Sequence, residues 1–340
     1  MGNLPPHRIH SDYPFLNTAV DYAGPVMTLN RKGRGSQLIS SYICIFVCLA
    51  VKAVHIELVT DLSSETFLSA LHRFIARRGK PASIYSDNGR CFVGASKELA
   101  KFPRDNSHTI SDRVADMAIE FKFSPAYSPH FNGLAEGSVK AVKFHLKRVL
   151  SLANLTYKEM NTVLVQIEAI LNSRPLTPMS SDPSDLIALT PSHFLIGRTA
   201  LLPSSEVNND DATKIHSLSR YMRIQTLKGH FWKLYKSEYI AELQKRQKWR
   251  RQGEQLRLGE MVLVKDDQAP PTRWVLGRVT RLYHGTDGVS RVADVLTTSG
   301  TICRAYNRLC PLPVIADQST TNAAATALLL LPWRRQDVDA

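Results

Sequence analysis

Cysteine is scarce in this sequence: five residues in 340, at positions 44, 48, 91, 303 and 310, with no Cys-x-x-Cys pair among them. An odd, scattered set indicates neither a disulfide framework nor a zinc site, and it suits a reducing compartment. Long apolar runs are missing too. The stretch 42–51 and the leucines at 328–331 are both too short to span a bilayer, and the first residues lack a secretory signal pattern. No membrane partner is therefore expected. Nor does any Ser or Cys stand out with a base partner, so nothing calls for a side-chain nucleophile. Acidic side chains are in deficit, 30 against 43 Lys and Arg.

That deficit is local. Residues 214–310 hold 19 basic against 8 acidic side chains, an excess of 11, whereas residues 1–213 hold 22 against 19, an excess of 3. Cations concentrated in one part of the chain point to a polyanionic partner there, although a soluble protein with a basic surface has the same signature. The length suits two or three modules, and 44% apolar with 21% charged residues is ordinary globular composition.

Three acidic residues stand in local patterns of their own. Ala82-Ser83-Ile84-Tyr85-Ser86 reads as a short strand, and Asp87-Asn88-Gly89 then turns the chain where a positive φ costs little, which holds Asp87 at a strand tip. Ligands sit at such tips in α/β sheets, though Asp-Asn-Gly is also ordinary turn chemistry. Asp21 interrupts the strand-like Val20-Asp21-Tyr22-Ala23-Gly24-Pro25, where a carboxylate needs a partner or an ion. Glu136 follows His130-Phe131-Asn132-Gly133 and opens a helical pattern over 136–150, with Ala135, Val139, Val142, Leu146 and Val149 on one face. Glu136, Lys140, Lys143 and Lys147 form the neighbouring stripe, on which a Glu–Lys ion pair is the plain alternative to chemistry.

Together these motifs resemble the Asp, Asp, Glu catalytic cores of retroviral and retrotransposon integrases, above all the BEL/Pao type of LTR retrotransposon. Segments 171–178 (Leu-Asn-Ser-Arg-Pro-Leu-Thr-Pro) and 189–195 (Leu-Thr-Pro-Ser-His-Phe-Leu) look like those that follow the core in that group, so the resemblance covers about residues 1–312. Glu136 lies 49 positions after Asp87, longer than the retroviral interval but usual in BEL/Pao elements, and the extra residues are expected within 97–110.

In chain order, residues 1–16 read as a lead-in and strands follow at about 17–29, 41–50 and 52–59. Between the first two lies the basic tip 30–36, a solvated loop or a phosphate contact. Cys44 and Cys48 fall in an apolar run, where a free thiol behaves as a small core hydrophobe. Ser63 caps a helix over 65–78 that Gly79 stops, and 82–86, 120–124 and 157–172 read as strand, strand and helix, with a further helix expected from 111 or 112 to 119. The Pro-, Ser- and Asn-rich stretch 182–211 reads as a linker. Residues 218–252 are helix-prone, and their rings at 231–235 and cations at 245–251 suit either a core with a solvated face or DNA. Short strands at 259–264, 274–279, 292–296 and 301–305 suggest a small β-barrel, followed by a tail from 315. The modules expected are thus a core over 17–180, a linker with a basic helical segment over 181–252 and a DNA-binding barrel over 253–314.

The resemblance implies a fold, a reaction and its partners. The fold is α/β, a ribonuclease-H-like integrase core with a mixed five-stranded sheet and flanking helices, followed by a helical linker and a small all-β barrel. The reaction is DNA integration by two-metal phosphodiester transfer, comprising 3′-end processing and strand transfer. Two Mg²⁺ or Mn²⁺ ions, roughly 3.5–4 Å apart, activate the attacking oxygen and neutralise the leaving one. Asp21 bridges both ions in this scheme, Asp87 completes one and Glu136 the other. Double-stranded DNA, as element ends and target, is the partner, the chain is expected to form a homo-oligomer, and the compartment is the nucleus, after a cytoplasmic particle.

The DNA contacts expected are Lys140, Lys143 and Lys147, Tyr127 and Asn132 in the loop before the helix, and Lys245, Arg246, Lys248, Arg250, Arg251 and Arg278. For the lysines a solvated stripe is the alternative, and for the loop residues helix capping. Two other functions stay open: a ribonuclease-H-type nuclease, and a catalytically inactive, transposon-derived DNA-binding or assembly protein. Integrases of this kind usually carry a zinc module with paired His and Cys ahead of the core. Residues 1–20 offer only His7 and His10 and no Cys, so no zinc is expected and the chain reads as a truncated or processed piece.

Overall fold

The computed structural model describes residues 12–105, 119–123, 143–146, 148–149, 154–182, 184–203, 219–250, 256–266, 269–284 and 290–313, the side chains of 100–105 and 245–250 excepted. It has two compact units. Residues 1–174, 190–252 and 265–275 make the first, and residues 175–189, 253–264 and 276–340 the second.

The first unit is built on a mixed sheet. Strands β1 (Asn17–Leu29), β2 (Leu38–Cys48) and β3 (Val54–Val59) run antiparallel in succession, while β4 (Ser83–Ser86) lies parallel to β1 and β5 (Glu120–Phe123) parallel to β4. The order is β3-β2-β1-β4-β5, with β6 (Leu155–Thr156) beside the far end of β1. Helix α1 (Ser64–Arg78) connects β3 to β4, and α2 (Arg90–Asp105) follows β4. This is the ribonuclease-H-like arrangement that the motifs imply.

Strand β2 shows why the sheet is central. Ile43, Ile45 and Val47 join a cluster with Met160, Val163, Leu164, Ile167 and Leu171 of α3 (Tyr157–Asn172). Cys44, Phe46 and Cys48 point the other way, onto Phe67, Leu71 and Phe74 of α1 and Phe92 of α2. A strand covered on both faces reads as an unbroken apolar run, and both thiols are core groups at 0% exposure. Helix α1 begins where Ser63 Oγ accepts from Thr66 N at 3.2 Å, and it ends at Gly79, whose φ of +90° favours glycine.

The stretch expected as a linker contains folded structure. β7 (Thr177–Pro178) pairs with β8 (Ala188–Leu189) in the second unit, and α4 (Pro191–Ile196) belongs to the first. Helix α5 (Arg220–Arg250) is likewise part of the first unit. Its Leu227, Phe231, Trp232 and Tyr235 are buried in the same cluster as α3. Two of its cations are committed to carbonyls, Lys228 Nζ donating to Pro203 O at 3.3 Å and Lys236 Nζ to Asp266 O at 2.6 Å. For the rings at 231–235, core packing wins over DNA contact.

The second unit is a five-stranded antiparallel sheet in the order β12-β11-β10-β9-β13. Its strands are β9 (Met261–Val264), β10 (Leu276–His284), β11 (Ser290–Thr297), β12 (Gly300–Ala305) and β13 (Leu309–Pro311). Among the described residues β12 and β13, the two ends of this order, are not paired with each other. No described helix is long and apolar enough to cross a membrane.

Candidate active site

Strands β1 and β4 pair in parallel register through Asn17 with Ser83, Thr18 with Ile84 and Ala19 with Tyr85. Two residues further along each chain stand Asp21 and Asp87. Both carboxylates thus follow the same paired segment, each two residues beyond its last paired position. They come from motifs 66 positions apart in the sequence. Asp21 lies inside β1, and its Oδ1 accepts from Tyr22 N at 2.7 Å. Its Oδ2 accepts from Lys143 Nζ at 2.6 Å.

Asp87 is exposed just beyond β4, and its Oδ1 accepts from Gly89 N at 3.0 Å, closing a turn on its own backbone. The glycine gives room there. Neither Asn88 nor Gly89 has a positive φ, contrary to the expectation. A Cβ on Gly89 would meet Asp87 Oδ1 at 3.0 Å and Phe92 Cδ2 at 3.2 Å.

Aromatic packing ties the two motifs together. Tyr22, next to Asp21, stacks on Phe92, five residues after Asp87, with ring centroids 5.3 Å apart and planes at 17°. Phe92 is 2% exposed and also meets Phe67 edge-on. Burial, with Cys44 and Cys91 nearby, holds the Tyr22 hydroxyl well above its ordinary range, so Tyr22 stays neutral. On the strand side, Ser86 is fully buried and its Oγ donates to Asp87 O at 3.0 Å. The positioning role of this aromatic pair was missed in the sequence. The available signal was one ring in each carboxylate motif.

Beyond Tyr22 the backbone of β1 bulges between Ala23 and Val26. Gly24 has a φ of +139°, and a Cβ there would lie 2.9 Å from Tyr42 Cδ1. A bulge re-aims a strand, here next to the carboxylate.

Glu136 lies outside the described residues, as do Lys140, Lys147, Tyr127, Asn132 and Arg251, and the side chains of Lys245, Arg246, Lys248 and Arg250. Arg278 corrects an expectation. It is 6% exposed in the second unit, and its guanidinium donates to Asp185 O at 2.9 Å, Gly259 O at 2.9 Å and Ser180 O at 2.8 Å. A guanidinium so committed ties the β7–β8 segment to the sheet and is withdrawn from the DNA contacts.

Among the described residues no group of three or more His, Cys, Asp or Glu is placed to hold a metal ion. Asp21 and Asp87 nonetheless fit a hard divalent cation, since both offer carboxylate oxygens and Asp21 already holds a cation, the Lys143 ammonium.

Residues 219–312 match a family model described as a family of unknown function (DUF5641). An uncharacterized protein of Caenorhabditis elegans is 24% identical over 224 residues, 64% of this chain, and the chain spans only 14% of that protein's length. Among solved structures, the simian T-cell lymphotropic virus intasome in complex with a PP2A regulatory subunit aligns over 92% of this chain and 84% of its own, at 14% identity and a TM-score of 0.37. The HTLV-2 integrase catalytic core domain, solved with magnesium in a trimeric form, aligns over 42% of this chain and 75% of its own, at 20% identity and a TM-score of 0.27. At such TM-scores neither likeness carries an argument about the fold, which rests on the strand order itself.

Proposed function

We propose that this chain is a polynucleotidyl transferase that processes the 3′ ends of an element's DNA and joins them to target DNA. The observation that supports this reading is the parallel register of β1 and β4, which ends two residues before both Asp21 and Asp87. The Lys143–Asp21 contact adds to it. Lys143 lies seven positions after Glu136, a spacing that puts both side chains on one face of a helix.

In this reading Asp21, Asp87 and Glu136 hold two Mg²⁺ or Mn²⁺ ions, which when bound activate the attacking water or 3′-hydroxyl and neutralise the leaving oxygen. The chain's own residues do the rest. The Tyr22–Phe92 stack fixes one carboxylate motif against the other. The Asp87 turn keeps its carboxylate open to solvent, where a DNA strand can reach it. Lys140, Lys143 and Lys147 meet phosphates of the DNA end, and the cation-rich C-terminal part, with Lys245, Arg246, Lys248, Arg250 and Arg251, adds sequence-independent affinity that falls steeply with salt. The partner is double-stranded DNA, the working form a homo-oligomer and the compartment the nucleus.

Strand transfer by the purified chain, with a labelled DNA end and Mg²⁺ or Mn²⁺, tests the reading. Joined product that disappears in Asp87→Asn is the expected result. DNA binding without joining under either ion overturns it in favour of an assembly protein, and cleavage confined to RNA in hybrids overturns it in favour of a nuclease.

A further inference from the structure

Lys143 is the one described side chain that neutralises Asp21. Its Nζ donates to Asp21 Oδ2 at 2.6 Å, while Oδ1 is taken by the Tyr22 N–H at 2.7 Å. The lysine is 34% exposed and the aspartate 37%, so the pair is neither sealed in the core nor free in solvent. An ammonium is a compact cation on a flexible stem. It satisfies a carboxylate that would otherwise stand unpaired in the middle of a sheet. A divalent ion seeks the same oxygen, and two cations at one oxygen repel each other.

The geometry points to Lys143 as an internal placeholder: its ammonium holds the Asp21 carboxylate in the metal-free chain, and the first divalent ion must displace it. This rests on the reading of Asp21 as a metal ligand. It adds to that reading an order of events. Asp21 stays charge-balanced, and residues 143–146 stay against β1, before any metal arrives. Loading then frees an ammonium beside the carboxylates, where a DNA phosphate is expected.

The test is Mn²⁺ binding to the full chain without DNA, read from the electron paramagnetic resonance signal of free Mn²⁺. Lys143→Gln removes the competing charge and is expected to bind Mn²⁺ about fivefold more tightly, the scale of a partly exposed ion pair. Lys143→Arg keeps the charge and should bind like wild type, which a merely structural role for the lysine stem does not predict. Asp21→Asn should lose the tight site. If Asp21→Asn loses the site while Lys143→Gln binds no more tightly than wild type, the placeholder is wrong and the metal-site reading stands. If Asp21→Asn binds Mn²⁺ as wild type does, the metal-site reading fails and the placeholder fails with it.

Discussion

Two groups of charges sit on the sheet of the first unit, one at its edge and one near its middle, and they are satisfied very differently. At the edge strand β3, His55 lies between Glu57, with Nε2 to Oε1 at 3.1 Å, and Glu168 of α3, with Nδ1 to Oε2 at 3.2 Å. Glu57 also accepts from Arg73 Nε at 2.7 Å and Arg77 Nη1 at 2.8 Å, and Glu168 accepts from Arg78 and from Ile56 N, the latter at 2.8 Å. The same helix closes the strand edge elsewhere. Asn172 bonds both Val54 N and Val54 O at 2.8 Å, and Tyr157 Oη donates to Leu58 O at 2.6 Å. Near the middle, Asp21 has one lysine and its neighbour's N–H, and Asp87 has the N–H of its own turn. Buried charges must be paired within the fold, so the filled cluster is architecture, an edge strand sealed against further pairing. Among the described residues, Asp21 and Asp87 have few partners, which leaves room for a ligand.

Removing charges from each group is the sharpest way to break that contrast. Asp21→Asn or Asp87→Asn should lower strand transfer at least about 10²–10³-fold, the scale of losing one preorganised transition-state contact. The thermal midpoint should barely move, because neither carboxylate anchors the core. Loss of activity together with unfolding would place both in the architecture instead. Glu168→Ala should do the reverse, costing about 3–5 kcal/mol of stability in urea unfolding, because it strands Arg78 and His55 and leaves the Ile56 N–H without its acceptor. Below its unfolding transition, the specific activity of that variant should stay near wild type.

A smaller effect probes the Asp87 turn. Gly89→Ala adds a Cβ that meets Asp87 Oδ1 at 3.0 Å and Phe92 Cδ2 at 3.2 Å, so the carboxylate must shift by a few tenths of an ångström. Misplacing a catalytic group on the ångström scale costs up to about 10²-fold in rate. A reduction in strand transfer of about tenfold, with stability within about 1 kcal/mol of wild type, is expected. Unchanged turnover would mean that the position of Asp87 is not set by this turn.

Much of this was legible in the sequence, for a physical reason in each case. Strands β1 to β4 and helices α1 and α3 declare themselves by their periods and caps, and the carboxylates by the strand and turn residues around them. Helix α2 did not, because it carries Gly94 and Pro103, which read as breakers. Gly94 is there for contact: a Cβ would come within 2.1 Å of Ser64 Oγ, so any larger residue would push the Ser64 side chain aside where α2 meets α1. The short helix at Pro191–Ile196 was hidden in a stretch read as linker, although Thr190, Pro191 and Gly197 mark its ends. The network around His55 joins residues more than 100 positions apart, such as Ile56 and Glu168, which no local pattern reveals.

The smallest expected effect is the dependence of the edge cluster on pH. Burial pulls the His55 imidazole down, but its bonds to Glu168 and Glu57 outweigh that, and its pKa is raised above the ordinary 6.5. A raised pKa means a contribution to stability that is fully present below the unfolded value and lost as pH rises through the folded one. Burial pushes Glu57 and Glu168 up, and their bonds to His55, with the arginines beside them, more than reverse this, so both fall below the ordinary 4.5. Their contributions are present above that value and lost as pH falls through the folded ones. All three therefore act together between about 4.5 and 6.5, the ordinary values of the two group types. Urea midpoints measured across pH for wild type and His55→Gln should differ most in that window. The gap should close as pH rises past the folded pKa of His55, where the wild-type imidazole is neutral as well. Mn²⁺ binding at the Asp21 site should not follow that curve, because the two groups share no side chain. A gap that widened towards alkaline pH would mean that His55 is held neutral, and the edge cluster would then be a hydrogen-bonded lattice without the central cation assigned to it.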